Sequence, residues 1–308
     1  MLKICMVLER AGGPAPRKER EKAGQPAGNG ALFEDEAYGS CMLGASDAMI
    51  RATSFTLLFL LTHASLFLLF PLSLSRFLLC LGWYAAGTFL MLYLLFHPRS
   101  QWLVTNRSRV EGCEGRCVSL TFDDGPTQIR TPRLLEILRE ASVQATFFVI
   151  GKEAERNAEL LRSAVADGHL IANHTYSHPY LFCFLTPRRL WNEIEKGQEA
   201  IEKICGMRPR YFRSPVGLRH PLLDLYLRRA GLEYISWSIR SFDTIEKQPE
   251  AILNRICRRV TPGDIILLHD NATAGVMLDV LPPLIDELKK RGFEFVPVGK
   301  KELAAVPA

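Results

Sequence analysis

Four short stretches of this chain carry side chains that could do chemistry together: Asp123-Asp124-Gly125-Pro126, the run HTYSH from His174 to His178, Arg213-Ser214-Pro215, and His269-Asp270. Two adjacent carboxylates leave one backbone in different directions, so one can bind a metal while the other takes a proton from water. Histidines spaced as His174 and His178 are can turn both imidazoles to one point, and with one aspartate they form an N,N,O set. Three protein ligands leave positions open for water and substrate, which separates a catalytic divalent site from a closed structural one, and zinc is the ion expected for such a set. Such an ion polarises a carbonyl oxygen and acidifies water, with a free carboxylate nearby as general base. His269 is then suited to protonate an amine leaving group, and Arg213 to hold the base carboxylate through a bidentate contact. Each stretch alone has an ordinary reading: a capped turn, a structural histidine pair, a surface ion pair, a histidine at a strand end. Together they describe a hydrolase.

Those side chains need a scaffold that brings them to one place. From Arg116 onward short apolar runs alternate with amphipathic stretches, the signature of strand–helix repeats. Strands are expected at Val118–Phe122, Ala145–Gly151, Leu170–Asn173, Tyr211–Arg213, Glu233–Ile239, Asp264–His269 and Phe293–Val298. Helical patterns fill the gaps: Pro132–Ala141, Lys152–Ala166, Pro187–Cys205, Pro221–Ala230, Pro249–Val260 and Leu278–Lys290. Several begin with proline, which costs no hydrogen bond in a first turn. One α/β domain, a (β/α) barrel, is the economical arrangement, and functional side chains then belong at the C-terminal ends of its strands. The four reactive stretches all begin at predicted strand ends.

The chain has 308 residues, a net charge of +5 and a mean hydropathy of +0.04. That mild charge, without a basic stripe or a recognised motif, makes no case for nucleic acid as a partner. The hydropathy is unevenly spread. Ser54–Phe70 and Phe77–Phe96 contain no carboxylate or lysine, and the second block is long enough to cross a bilayer. We expect one or two transmembrane helices, about 54–70 and 77–96, and hence a membrane location; a signal peptide is the rival reading of the first block. Residues 1–50 are rich in Gly, Ala, Pro and mixed charge and read as a disordered or overlong leader, with Met42 or Met49 as alternative starts. Arginines outside the hairpin favour cytoplasmic ends, while a single span places the catalytic part outside. The eight cysteines show no paired zinc spacing apart from Cys113-x-x-x-Cys117, which lacks a second pair, and no disulfide framework, which suits a reducing compartment.

In this order the motifs resemble the polysaccharide deacetylases with NodB homology, carbohydrate esterase family four, over roughly 116–298. TFDDGP at Thr121–Pro126 is similar to the first family motif, which implies Asp123 as catalytic base and Asp124 as metal ligand. HTYSH is similar to the second, implying His174 and His178 as the other ligands. RSPVG at Arg213–Gly217 resembles the third, with Arg213 positioning the base and Pro215 in a loop that walls the groove. LLH at Leu267–His269 resembles the fifth, with Leu267 lining the pocket for the acyl methyl and His269 as general acid. The fourth motif departs: Arg240 stands where the family commonly has an aspartate and Thr244 where it has tryptophan, while Asp243 is retained and Trp237 suits either core or groove. An arginine near His269 would lower its pKa.

The resemblance implies a distorted seven-stranded (β/α) barrel and metal-dependent removal of an N-acetyl group from an amino sugar. An N-acetylated glycan is the expected partner. The alternative is a lipid-linked amino sugar deacylated or deformylated at the membrane, and a further one is a non-catalytic carbohydrate-binding protein.

Overall fold

The computed structural model describes residues 73–97, 100–110, 112, 115–271 and 275–299, with scattered positions between Ser54 and Ser65. The predicted leader at 1–50 and much of the predicted first span lie outside them. Helix α1 (Leu74–Phe96) is capped by Ser73, whose hydroxyl accepts the Arg76 N–H. At 1.5 Å per residue its 23 residues reach about 34 Å, long and apolar enough to cross a bilayer. Its apolar side chains face outward, Leu74, Phe77 and Phe89 among them. The described positions of the preceding apolar block are helical, and Phe59 there stacks on Trp83 of α1 with ring centres 6.0 Å apart. His97 ends the helix, and its carbonyl accepts a 2.7 Å hydrogen bond from Arg219, a guanidinium buried in the barrel.

The remainder is one curled sheet with helices around it. Its strands are β1 (Asn106–Arg107), β2 (Cys117–Asp123), β3 (Thr146–Val149), β4 (Leu170–Asn173), β5 (Tyr211–Phe212), β6 (Glu233–Ile235), β7 (Ile239–Arg240), β8 (Asp264–His269) and β9 (Glu294–Phe295). They run in the order β1-β6-β5-β4-β3-β2-β8-β7, with β9 on β2, and every ladder is parallel. The helices are α2 (Thr131–Glu140), α3 (Gly151–Arg156), α4 (Ala158–Ala166), α5 (Pro187–Cys205), α6 (Leu223–Arg229), α7 (Pro249–Arg259) and α8 (Met277–Lys290). Among the described residues the sheet therefore has nine short strands where seven were expected. Asn106–Arg107 was not foreseen, and the predicted strand Glu233–Ile239 is two.

That division has a structural reason. Tyr234 and Ile235 pair with β5 and β1, whereas Ser238 donates to Ile265 and Ile239 pairs with Ile266 of β8. One extended segment thus changes partners around Trp237 and joins the two ends of the curl. The predicted helix Lys152–Ala166 is also two, broken at Asn157, whose side chain donates to the Pro126 and Glu153 carbonyls.

Alternation along the strands decides what faces inward. Val118, Leu120 and Phe122 of β2, Phe147 of β3, and Ile266 and Leu268 of β8 join the layer between sheet and helices. The intervening Phe148, Ile265 and Leu267 pack inside the curl. Continuing the same parity, Thr121, Asp123 and His269 point inward, and the ladder pairs Asp123 directly with His269. Strand period and register alone bring an acid and an imidazole together. One cysteine departs from expectation: Cys117 is disulfide-bonded, which removes the cysteine argument for a reducing compartment.

Candidate active site

At the C-terminal rim a cavity of about 480 Å³ is lined by Asp123, Asp124, His174, His178, Trp237, Leu267 and His269, with Arg240 and Thr244 at its edge. The chain leaves β2 through Asp124, held at φ 73, so the two aspartates turn apart. Asp123 is buried, and its Oδ1 accepts a 2.7 Å hydrogen bond from Arg213 Nη1. Its Oδ2 lies 3.8 Å from His174 Nε2, on the side of the metal cradle. Asp124 Oδ1 stands 3.4 Å from His174 Nε2 and 3.2 Å from His178 Nε2.

These three ligand atoms lie within 4.8 Å of one another. Bonds of about 2.1 Å at tetrahedral angles place ligand atoms roughly 3.4 Å apart, so both measured edges suit a small divalent ion. Asp124 Oδ1 is buried with no hydrogen-bond partner, as suits an oxygen whose partner is an ion. The donor set fits the ion. Burial by itself would raise the Asp124 pKa, but the close approach of His174, with His178 and His269 behind it, brings it down to about 2. Burial first, then His174, lowers the pKa of His178. A deprotonated carboxylate with neutral imidazoles is the ligand state.

Arg213 holds both halves of the site. Its guanidinium is fully buried and donates to Asp123, to Thr121 Oγ1 at 2.9 Å, and to the Ile235 and Ser236 carbonyls at 3.2 and 3.0 Å. The ring of Phe148 lies 3.9 Å below it. Its own carbonyl lies 2.7 Å from His174 Nδ1. A carbonyl can only accept, so Nδ1 carries the proton and Nε2 presents its lone pair to the cradle. This main-chain role was not legible in the sequence.

The loop carrying the histidines is fixed from below. Thr175 and His178 sit at φ 70 and 54, and the His178 N–H donates to Thr175 Oγ1. The Thr175 N–H donates to the buried side chain of Asn173, which in turn donates to Gln198 and the Ile194 carbonyl of α5. A Cβ on Gly197 of α5 would stand 2.6 Å from Asn173 Oδ1 and 3.0 Å from the Thr175 carbonyl carbon, so this close approach needs glycine.

Opposite, His269 Nδ1 is 2.9 Å from Asp243 Oδ1, and its backbone N–H donates to Asp243 Oδ2 at 2.7 Å. Asp243 is wholly buried and also accepts from Ser241. Burial alone would lower the His269 pKa; the hydrogen bond and charge of Asp243, aided by Asp123 and Asp124, raise it above the ordinary value. Arg240, expected to depress it, is not among the groups acting on His269; its guanidinium stacks over Phe242 at 5.0 Å. Asp243, retained in the altered fourth motif, thus does the tuning.

Of the predicted substrate residues, Leu267 and Trp237 line the cavity, whereas Pro215 is buried and its neighbours Val216 and Gly217 form the wall. Gly217 must be glycine, since φ is 74 and a Cβ would meet the Trp237 ring at 2.5 Å. Trp237 is core and wall at once. Ile150, Ser177, Tyr180 and Asn271 complete the lining without having been singled out.

The motif order also has counterparts elsewhere. The polysaccharide deacetylase family model matches residues 111–235. A chitooligosaccharide deacetylase from Bradyrhizobium sp. is 35% identical over 196 residues, which cover 59% of this chain and 89% of that protein. The chain belongs to the polysaccharide deacetylase family. A peptidoglycan-N-acetylglucosamine deacetylase of Bacillus cereus is 33% identical, the match covering 65% of this chain and 91% of the relative. Among solved structures, a family 4 carbohydrate esterase from Streptomyces lividans in complex with acetate superposes with a TM-score of 0.55 at 33% identity, over 60% of this chain and 93% of that one. As a polysaccharide deacetylase the chain is a hydrolase of carbon–nitrogen bonds other than peptide bonds.

Proposed function

We propose that this polysaccharide deacetylase removes the N-acetyl group from N-acetylglucosamine-type residues of a glycan, using a divalent ion held by Asp124, His174 and His178. A zinc ion in that cradle supplies Lewis-acid polarisation of the acyl carbonyl and acidifies water. Asp123 is the general base: its Oδ1 is held by Arg213 and its Oδ2 faces the cradle. Arg213 keeps that carboxylate in one orientation, so the proton arrives at a defined oxygen. His269, kept protonated by Asp243, gives a proton to the departing amine. Leu267 and Trp237 offer an apolar wall to the acyl methyl. Helix α1 anchors the enzyme to the membrane.

The observation that carries this reading is the convergence in one cavity of an N,N,O ligand set, an independently held carboxylate and an imidazole on the neighbouring strand. The names of the relatives supply the substrate class. The test is acetate release from a chitooligosaccharide by chelated and zinc-reloaded protein. Activity should require the metal, and Asp123→Asn should lower kcat by about 10² or more while its bound-metal stoichiometry stays that of the wild type. Metal-loaded wild type that releases no acetate from chitooligosaccharide, peptidoglycan or sugar-phosphate substrates would overturn the reading.

A further inference from the structure

The family-altered position Arg240 borders two cavities. It lines the catalytic pocket, and with Val216 and Trp237 it also lines a second cavity of about 800 Å³ that continues outward past β7. That groove is bounded by Arg109, Arg240 and Arg259 and reaches His97, the residue that ends α1. Its single carboxylate is Asp264, which Arg109 already engages at 3.3 Å and which accepts the N–H and hydroxyl of Thr261. Arg240 and Arg259 are exposed, and among the described residues neither has a carboxylate partner. Arg240 is nevertheless placed. Its guanidinium stacks on Phe242, a ring that Arg255 also approaches at 5.1 Å. Phe242 itself is held at φ 66, a conformation that a bulky residue adopts only when its surroundings impose it. Stacking orients the guanidinium without using its N–H donors, which remain free for a ligand.

We propose that this groove binds a phosphate ester carried by the substrate, on the sugar whose acyl amide occupies the catalytic pocket. Two unneutralised guanidiniums suit a phosphate, which accepts bidentate pairs from each. Position points to the source. The groove opens beside His97, the C-cap of an apolar helix whose side chains face outward, so a phosphate held there stands where a lipid-carried sugar presents its own. A neutral glycan chain offers these cations hydroxyl and amide oxygens only, with no charge to neutralise them. The proposal rests on the deacetylase reading of the catalytic pocket and deepens it by naming what lies on the far side of the sugar.

The experiment compares three substrates on the full-length, zinc-loaded protein in detergent micelles: a neutral chitooligosaccharide, soluble UDP-N-acetylglucosamine, and N-acetylglucosamine linked through diphosphate to a polyprenol dissolved in the same micelles. The kcat/KM for a phosphate-bearing substrate should exceed that for the neutral one, and this ratio should fall by about tenfold or more in Arg240→Gln and in Arg259→Gln. Preference for the polyprenol substrate over the nucleotide assigns the phosphate to a lipid headgroup; the reverse assigns it to a soluble sugar phosphate. A ratio that neither substitution changes overturns the proposal while leaving deacetylation standing. Calorimetry with inorganic pyrophosphate keeps the groove testable if all three substrates are inert. Binding to wild type that weakens about tenfold in Arg259→Gln supports the site, and equal binding by both, or none by wild type, refutes it.

Discussion

Replacing Arg213 by lysine separates two jobs that the residue performs through different atoms. The guanidinium makes four hydrogen bonds: to Asp123 at 2.7 Å, Thr121 at 2.9 Å, Ser236 at 3.0 Å and Ile235 at 3.2 Å. An ammonium is a single point, so if it keeps Asp123 it leaves the Ile235 and Ser236 carbonyls buried without donors. Each such loss costs about 1 kcal/mol or somewhat more, and the stack on Phe148, seated at 3.9 Å, is lost as well. The expected destabilisation is about 3 kcal/mol, measured by urea unfolding of chelated protein. Turnover should suffer more than stability suggests. Slack of about 1 Å in the base lowers kcat by about 10². The contact to His174 comes from the main-chain carbonyl of residue 213, which lysine supplies equally well. Zinc stoichiometry and affinity should therefore match wild type. A variant that loses its metal yet keeps wild-type turnover per bound ion, or one destabilised by less than about 1 kcal/mol, refutes this division of labour.

Two further perturbations probe titrating groups. In Asp243→Asn the influences that raise the His269 pKa are cut back while burial, which lowers it, remains; since the proton donor works only when protonated, the alkaline limb of the kcat profile should move to lower pH, and an unmoved limb rejects His269 as the acid. His169, buried at the far end of β4, has its pKa brought down by burial to about 4 from 6.5. Its unfolded form takes up protons first as the pH falls, so stability is complete above 6.5 and lost on acidification towards 4, by about 3 kcal/mol in all at about 1.36 kcal/mol per pH unit. His169→Phe should flatten that slope in urea melts across the range, and a parallel slope in the variant assigns the acid lability elsewhere.

What could be read from the sequence was set by local pattern. Asp123, Asp124, His174, His178 and His269 follow short apolar runs that read as strands, with alternation giving the facing in Val118–Phe122, and parallel strands bring such ends to one rim. What could not be read depends on contacts between distant segments. Nothing near Trp237 signals that Glu233–Arg240 changes partners, because both halves are equally apolar and extended. Asp243 reaches His269 across 26 residues of sequence, from the loop after β7, with α7 and most of β8 between them in the chain. The hold of Arg213 on His174 runs through a carbonyl, which every residue type possesses. The strand at Asn106–Arg107 is too short for a period to show.

The change of partners at Trp237 also bears on how such an enzyme could diversify. β7 is the terminal strand of the sheet path and has one bonded neighbour, β8, whereas β2, which delivers Asp123, is braced by β3, β8 and β9. Arg240 on β7 and Thr244 just after it reach the surface and can vary without disturbing the ladder that sets the base, provided that the buried Asp243 between them is kept for His269. Arg240 and Thr244, the two departures from the family pattern, both fall on this seam. The barrel thus has one strip where recognition can be rewritten in a few substitutions, while the reacting groups stay under the constraint of strands bonded on both sides.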